Sequence, residues 1–427
     1  MAAFSYFFLK TVTEGQQFFF TDLPVHLGFR GEPAWWPLLP LAVCGLLVAL
    51  TIRFLPGTGG HSPADGFKPA GMIPAIQLPG ILVAALVTLC LGAVLGPEAP
   101  LIAIGSGLGV LAVRLVKRDA PAMASVVIGA AGSFAAVSVL LGSPIVGAFL
   151  LMEVAGLGGG LLSIVLVPGL LAAGIGSLIF IGLNSWVGFG TFSLAVSPIP
   201  HFGTPNVGEF LWAIGIGIAA AVVGSGIRRV GLLLRTVVQP RMVALTPLLG
   251  LGIAGLAIAF AEGTGKPSSE VLFSGQSALP PLIEHSATWT VGALVLLMVC
   301  KGLAYGMSLS SFRGGPTFPG MFIGAAGGIA LSHGPGLPMV AGAAMGIGAM
   351  TTAMLGLPLT SVLLASLFLQ ADSVTLMPLI IVAVVVSYVV SARLAPAPAP
   401  PEPAQTAPAA SPSGSPSGEA AAPARAA

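Results

Sequence analysis

Glu98 is a carboxylate set between two prolines at the head of an apolar run, Gly96-Pro97-Glu98-Ala99-Pro100-Leu101-Ile102-Ala103-Ile104-Gly105. Prolines suit the first turn of a helix, where the missing N–H would have no partner anyway. The free N–H groups of that turn carry the positive end of the helix dipole and hold anions. A carboxylate in that place can compete with an external anion for the same donors, and taking up a proton would release it. One titratable group therefore makes a gate. A charge at bilayer depth costs about 2.5–3.5 kcal/mol, so such a group usually lines a cavity or pathway. The same frame returns as Gly315-Pro316-Thr317-Phe318-Pro319-Gly320-Met321-Phe322-Ile323-Gly324. Gly, Pro, Pro, Ile and Gly recur in register, with Thr317 in the place of Glu98. Two broken helices whose N-termini meet inside a membrane would make an anion site. The plainer reading is a pair of Pro-kinked, Gly-rich packing helices.

Other residues capable of chemistry are few. Glu153 is the second acid in tightly apolar context, nine residues after Pro144, and could line a proton or water path or simply end a helix. His61, His201 and His285 fall in polar connections and read as loop histidines. Ser106 and Gly224-Ser225-Gly226 would suit a membrane serine hydrolase, but no histidine lies in an apolar span to activate them. Cys44, Cys90 and Cys300 sit in apolar segments without metal spacing and read as buried small residues. No phosphate loop or metal motif is present, so no cofactor is expected.

The elements that must position Glu98 belong to a membrane protein. The chain has 427 residues, 56% hydrophobic and 7% charged, with mean hydropathy +1.01. That profile is polytopic rather than soluble, and a net charge of +2 argues against nucleic acid as a partner. Apolar runs at Trp35–Phe54, Leu78–Leu95, Ser125–Met152, Leu161–Leu183, Phe210–Ile227, Val243–Ala261, Val291–Leu309, Pro338–Leu369 and Leu376–Val390 read as spans or part-spans. The basic clusters Arg114, Lys117, Arg118 and Arg228, Arg229, Arg235, Arg241 are expected on the cytoplasmic side. Met1–Phe20 carries Lys10 and Glu14 and does not read as a cleavable signal. From residue 394 the chain is Pro/Ala-rich and is expected to be a disordered cytoplasmic tail.

The repeat extends further. Gly142-Ser143-Pro144-Ile145-Val146 matches Gly356-Leu357-Pro358-Leu359-Thr360, and Gly129-Ala130-Ala131-Gly132 matches Gly342-Ala343-Ala344-Met345. The chain thus divides into a short N-terminal segment (1–35, the end of a first helix), a membrane domain (36–393) of two related halves (36–190 and 207–393), and the tail (394–427). Whether the halves are parallel or inverted is open at this level.

Over roughly residues 36–390 the pattern resembles the CLC family of chloride channels and chloride/proton antiporters. Gly96-Pro97-Glu98-Ala99-Pro100 stands for that family's Gly-(Lys/Arg)-Glu-Gly-Pro stretch, and Gly315-Pro316-Thr317-Phe318-Pro319 for its Gly-x-Phe-x-Pro stretch. Gly59-Gly60-His61-Ser62-Pro63 falls where its Gly-Ser-Gly-Ile-Pro stretch belongs. The resemblance implies an all-α, inverted-repeat bundle of tilted and broken helices, a homodimer with one pore per subunit, and a multi-pass protein of the cell membrane that is not an enzyme. It places Glu98 at the gate, and Gly60, His61, Ser62, Gly315, Thr317 and Phe318 around a chloride or other small anion.

Four departures bear on mechanism. Gly60 replaces the serine that would hold the central anion, with Ser62 two positions on. Pro316 has no N–H and Thr317 stands where the family has Phe, which leaves the N–H groups of Thr317 and Phe318 and the Thr317 hydroxyl. The antiporters' inner proton glutamate aligns with Val154, next to Glu153, and one residue along a helix rotates a side chain by about 100°. The final family helix and its tyrosine have no counterpart, Tyr388 lying too early. The first expectation is therefore passive anion conduction gated by Glu98. Chloride/proton exchange through Glu98 and Glu153 is the second, and an unrelated transporter of an organic solute is a remote third.

Overall fold

A computed structural model of the chain describes residues 1–66, 73–156, 159–187, 202–369 and 373–395. His201 and nearly all of the Pro/Ala-rich tail lie outside the described residues. Among those described there are sixteen α-helices and no strand, with one isolated antiparallel bridge. In chain order they are α1 (Ala2–Gln17), α2 (Leu23–His26), α3 (Leu38–Phe54), α4 (Leu78–Cys90), α5 (Glu98–Val116), α6 (Ala122–Leu141), α7 (Pro144–Ala155) and α8 (Gly159–Val187). There follow α9 (Val207–Val238), α10 (Met242–Thr264), α11 (Leu279–Glu284), α12 (Val291–Ser311), α13 (Thr317–Leu331), α14 (Met339–Leu355), α15 (Pro358–Leu369) and α16 (Ser373–Leu394).

Crossing a bilayer takes about 20 apolar residues. By length and composition α5, α6, α8, the α9–α10 run, α12 and α16 are long and apolar enough. Others stop short: α7 and α15 have 12 residues each, α13 has 15 and α14 has 17. Helix ends at membrane depth must satisfy their backbone groups inside the protein. Here the means are visible. Gly142 and Gly356 take left-handed conformations (φ +64° and +70°) that close α6 and α14. Ser143 accepts the N–H of Val146 at the head of α7.

Small residues bring the central helices into backbone contact. Gly105 of α5 lies against the Gly132 carbonyl of α6, and Gly109 against that of Ile128. In the second half Gly324 of α13 lies against the Gly346 carbonyl of α14, and Gly328 against that of Gly342. A Cβ at any of the four would meet carbonyl oxygen. These appositions correct one detail of the sequence repeat: Gly132 corresponds to Gly346, not to Met345, so the small-residue stretches align one residue later. That register then agrees with Gly142 and Gly356 at the ends of the two helices.

The repeat is inverted. Gly96 and Gly315 form the antiparallel bridge, with Gly96 N–H donating to Gly315 O at 2.8 Å and Gly315 N–H to Gly96 O at 2.6 Å. α5 and α13 begin just after it, at Glu98 and Thr317. Two helices that start at one point and lead away from it head to head are related by inversion.

Candidate functional site

The meeting of α5 and α13 is built by the repeated Gly-Pro frame. Pro97 and Pro316 are the N-caps, so neither helix start offers an N–H there, and the first free donors belong to the residues that follow. Glu98 is 1% exposed. The Thr317 N–H donates to its Oε1, and the Phe318 N–H and Thr317 hydroxyl also lie at the edge of the carboxylate. Glu98 Oε2 and Thr317 Oγ1 are buried and in hydrogen-bond geometry with no group among the described residues. Glycine is needed on both sides, because a Cβ at Gly96 or at Gly315 would fall on the Glu98 carboxylate. The Gly315 N–H is taken by the bridge, so Gly315 gives this site room rather than a donor. Tyr305 of α12, fully buried, donates its hydroxyl to the Pro316 carbonyl at 2.7 Å and so fixes the turn from which α13 starts.

A second wall comes from the Gly57–Pro63 loop. Gly57, Thr58, Gly59 and Gly60 have φ of +83°, +50°, +68° and +92°, a run of left-handed backbone that glycine permits and Thr58 adopts under strain. The turn aims the Thr58 carbonyl at Arg313, whose Nε donates to it at 3.2 Å. Gly59, Gly60, His61, Ser62 and Pro63 line a cavity of about 50 Å³ with Ala99 and Pro100 of α5, Arg313 and Pro316. Ser62 Oγ is buried there without a hydrogen-bond partner among the described residues. The loop residues singled out from sequence thus share one cavity with the start of α5. Thr317 and Phe318 lie at the carboxylate itself.

Glu153 lies elsewhere. It ends α7 and receives the backbone N–H groups of Leu359 (2.9 Å) and Thr360 (2.8 Å) and the Thr360 hydroxyl (2.6 Å) at the head of α15. It is the cap of the helix that repeats its own. His285 is in the connection before α12, hydrogen-bonded to the Pro281 carbonyl at 3.2 Å. Among the described residues no His, Cys, Asp and Glu cluster could hold a metal.

Sequence reasoning passed over three residues. Arg313 directly precedes Gly314-Gly315, and in a chain with 7% charged residues that adjacency was the available signal. Lys301 lies inside the apolar run Val291–Leu309, where a lone base interrupts the hydrophobic sequence. It is fully buried, and its Nζ donates to the carbonyls of Glu270, Val271, Leu272 and Phe273 at 2.9–3.4 Å. Tyr305 gave no local signal at all.

Fold and site together define an all-α membrane protein of two inverted halves with a buried carboxylate where their broken helices meet. The profile of the family described as "Voltage gated chloride channel" matches residues 44–392, and the chain belongs to that family. Among curated proteins it is similar to "Putative ion-transport protein YfeO" of Escherichia coli O139:H28, at 29% identity over 77% of this chain and 76% of that one. The protein of the same name from Shigella boydii serotype 4 is 30% identical over the same shares. Among solved structures it is similar to a CLC-type fluoride/proton antiporter (TM-score 0.66, 20% identity) and to a slow cyanobacterial Cl⁻/H⁺ antiporter (TM-score 0.70, 19% identity). Each of these pairings covers 92% of both chains.

Proposed function

We propose that the protein moves chloride or another small anion across the cell membrane, and that Glu98 is the gate. The carrying observation is that a buried carboxylate accepts the Thr317 N–H at the head of α13. A carboxylate and a halide want the same donors, so the side chain sits in the place of an anion. Removing its charge, or turning it away, frees the Thr317 and Phe318 N–H groups. Gly60, His61 and Ser62 line, with Pro100 and Pro316, the cavity through which an anion would approach.

Passive conduction is the reading we favour. Exchange needs titratable groups in series, and the oxygens of Glu153 are occupied by the N-terminus of α15. The second reading is chloride/proton exchange with Glu98 and Glu153 handling the proton. The two structural neighbours, both described as antiporters, support it.

Orientation follows from charge. Arg235 pairs with Asp65 and Arg229 donates to the Leu394 carbonyl at 2.9 Å, so the Gly57–Asp65 loop, the basic end of α9 and the end of α16 share one side. Basic loops face the cytoplasm, and the tail that follows Leu394 is assigned there too. A homodimer is the assembly we expect from the family.

The test is chloride efflux from liposomes holding the full chain, with external pH recorded, for wild type and Glu98→Gln. Passive conduction predicts efflux without proton uptake, faster and less pH-dependent in the variant. Proton uptake that accompanies efflux and disappears in Glu98→Gln selects exchange instead. No chloride flux from either protein removes both readings.

A further inference from the structure

Arg313 is a buried cation that the gate does not use. It is 7% exposed. Its Nε and Nη1 donate to the carbonyls of Thr58 and Phe312, both at 3.2 Å, while Nη2 makes no hydrogen bond among the described residues. No carboxylate is paired with it there. Asp65, the acid whose charge reaches it, is bonded to Arg235. Arginine is rarely this buried without an anion, because two carbonyls satisfy donors but do not neutralise a charge.

The surroundings fit a guest. Arg313 lines the cavity of about 50 Å³ together with Ser62, whose buried hydroxyl has no partner among the described residues, and with the first turn of α5. That is room for a small anion with little of its water. A guanidinium, an unengaged hydroxyl and a helix start therefore converge on one small space.

We propose that Arg313 is an anion ligand at the inner mouth of the pathway, holding a small monovalent anion with its unengaged Nη2 face and with Ser62 before it reaches the donors at Glu98. The proposal rests on the anion-transport reading and adds to it a residue that sets capture and selectivity. The fixed charge makes the cavity attractive to anions and hostile to cations before any gate opens.

Chloride is titrated calorimetrically into the detergent-solubilised full chain for wild type, Arg313→Gln and Arg313→Lys, and the chloride dependence of efflux is read in parallel. Losing a charged ligand is expected to weaken chloride binding about tenfold or more in Arg313→Gln. Arg313→Lys keeps the charge while giving up the fork that holds Thr58 and Phe312, and is expected to stay within about threefold of wild type. If the arginine only props the Thr58 turn, both variants weaken alike, which overturns the proposal. Wild-type affinity in Arg313→Gln overturns it as well. Those outcomes, with wild-type flux intact, leave the transport reading standing; absence of both binding and flux in wild type removes the two together.

Discussion

A carboxylate held between two glycines can be dislodged by a single methyl group. A Cβ at Gly315 would fall on the Glu98 carboxylate, and the Gly315 N–H is already taken by Gly96, so the substitution changes space and no donor. Overpacking of this kind costs about 1–3 kcal/mol, enough to shift the resting position of a side chain roughly tenfold or more. Gly315→Ala is therefore expected to speed chloride efflux from liposomes. Adding Glu98→Gln to it should change the rate little, because both substitutions vacate the same donors. Efflux no faster than wild type, from protein with an unchanged melting midpoint, would mean that the carboxylate does not hold the pathway closed.

At the scale of elements, the short helices depend on caps brought from distant parts of the chain. α7 and α15 are repeat partners of 12 residues each, and Glu153 at the end of one closes the start of the other with three accepted hydrogen bonds. Hydrogen bonds to a charged group contribute about 1.5–3 kcal/mol, and the partial positive charge of a helix start adds to them. Glu153→Ala is expected to lower stability by about 2 kcal/mol, read as a lower thermal midpoint in detergent, while chloride efflux per folded molecule persists. Loss of efflux at an unchanged midpoint would move Glu153 from cap to pathway and restore the exchange reading. Glycine appositions do the complementary work along the helix sides: where Gly328 meets Gly342, backbone touches backbone and leaves no room for a side chain.

For the molecule as a whole, one buried side chain helps fasten the connection between α10 and α12 to the core, where Ser268 also donates to Glu32 and the Phe273 N–H to the Gly92 carbonyl. Lys301 reaches up from α12 to four successive carbonyls, Glu270 to Phe273, and stacks over the Phe322 ring at 4.5 Å. The Glu270 carboxyl beside it is held above its ordinary value by burial, which outweighs the opposite pull of Lys301 and Lys266. The folded protein therefore binds that proton more tightly than the unfolded chain does. Its contribution to stability is present in acid and is lost as pH rises from about 4.5 through the folded value. The thermal midpoint of wild type is expected to fall over that window relative to Glu270→Gln, whose amide does not titrate. Parallel pH profiles for the two proteins would show that the buried carboxyl is relieved in some other way.

Much of this was written along the chain. Hydropathy and the scarcity of charge gave a membrane bundle, and the repeated Gly-Pro frame marked both broken helices and put Glu98 at the head of one, because proline and glycine act on the local backbone. Three things needed the tertiary structure. The inversion of the halves rests on the bridge between Gly96 and Gly315, a contact across more than half the chain. The role of Glu153 depends on α15 being brought to it, and its neighbours in sequence say nothing of that. Arg313 and Lys301 drew no reading from the sequence, and only burial and carbonyl partners reveal them as a cation at the cavity and a clasp on the core. Local rules are legible because their causes lie within a few residues. Who satisfies a buried charge is decided by packing between distant segments, and there only the folded chain could answer.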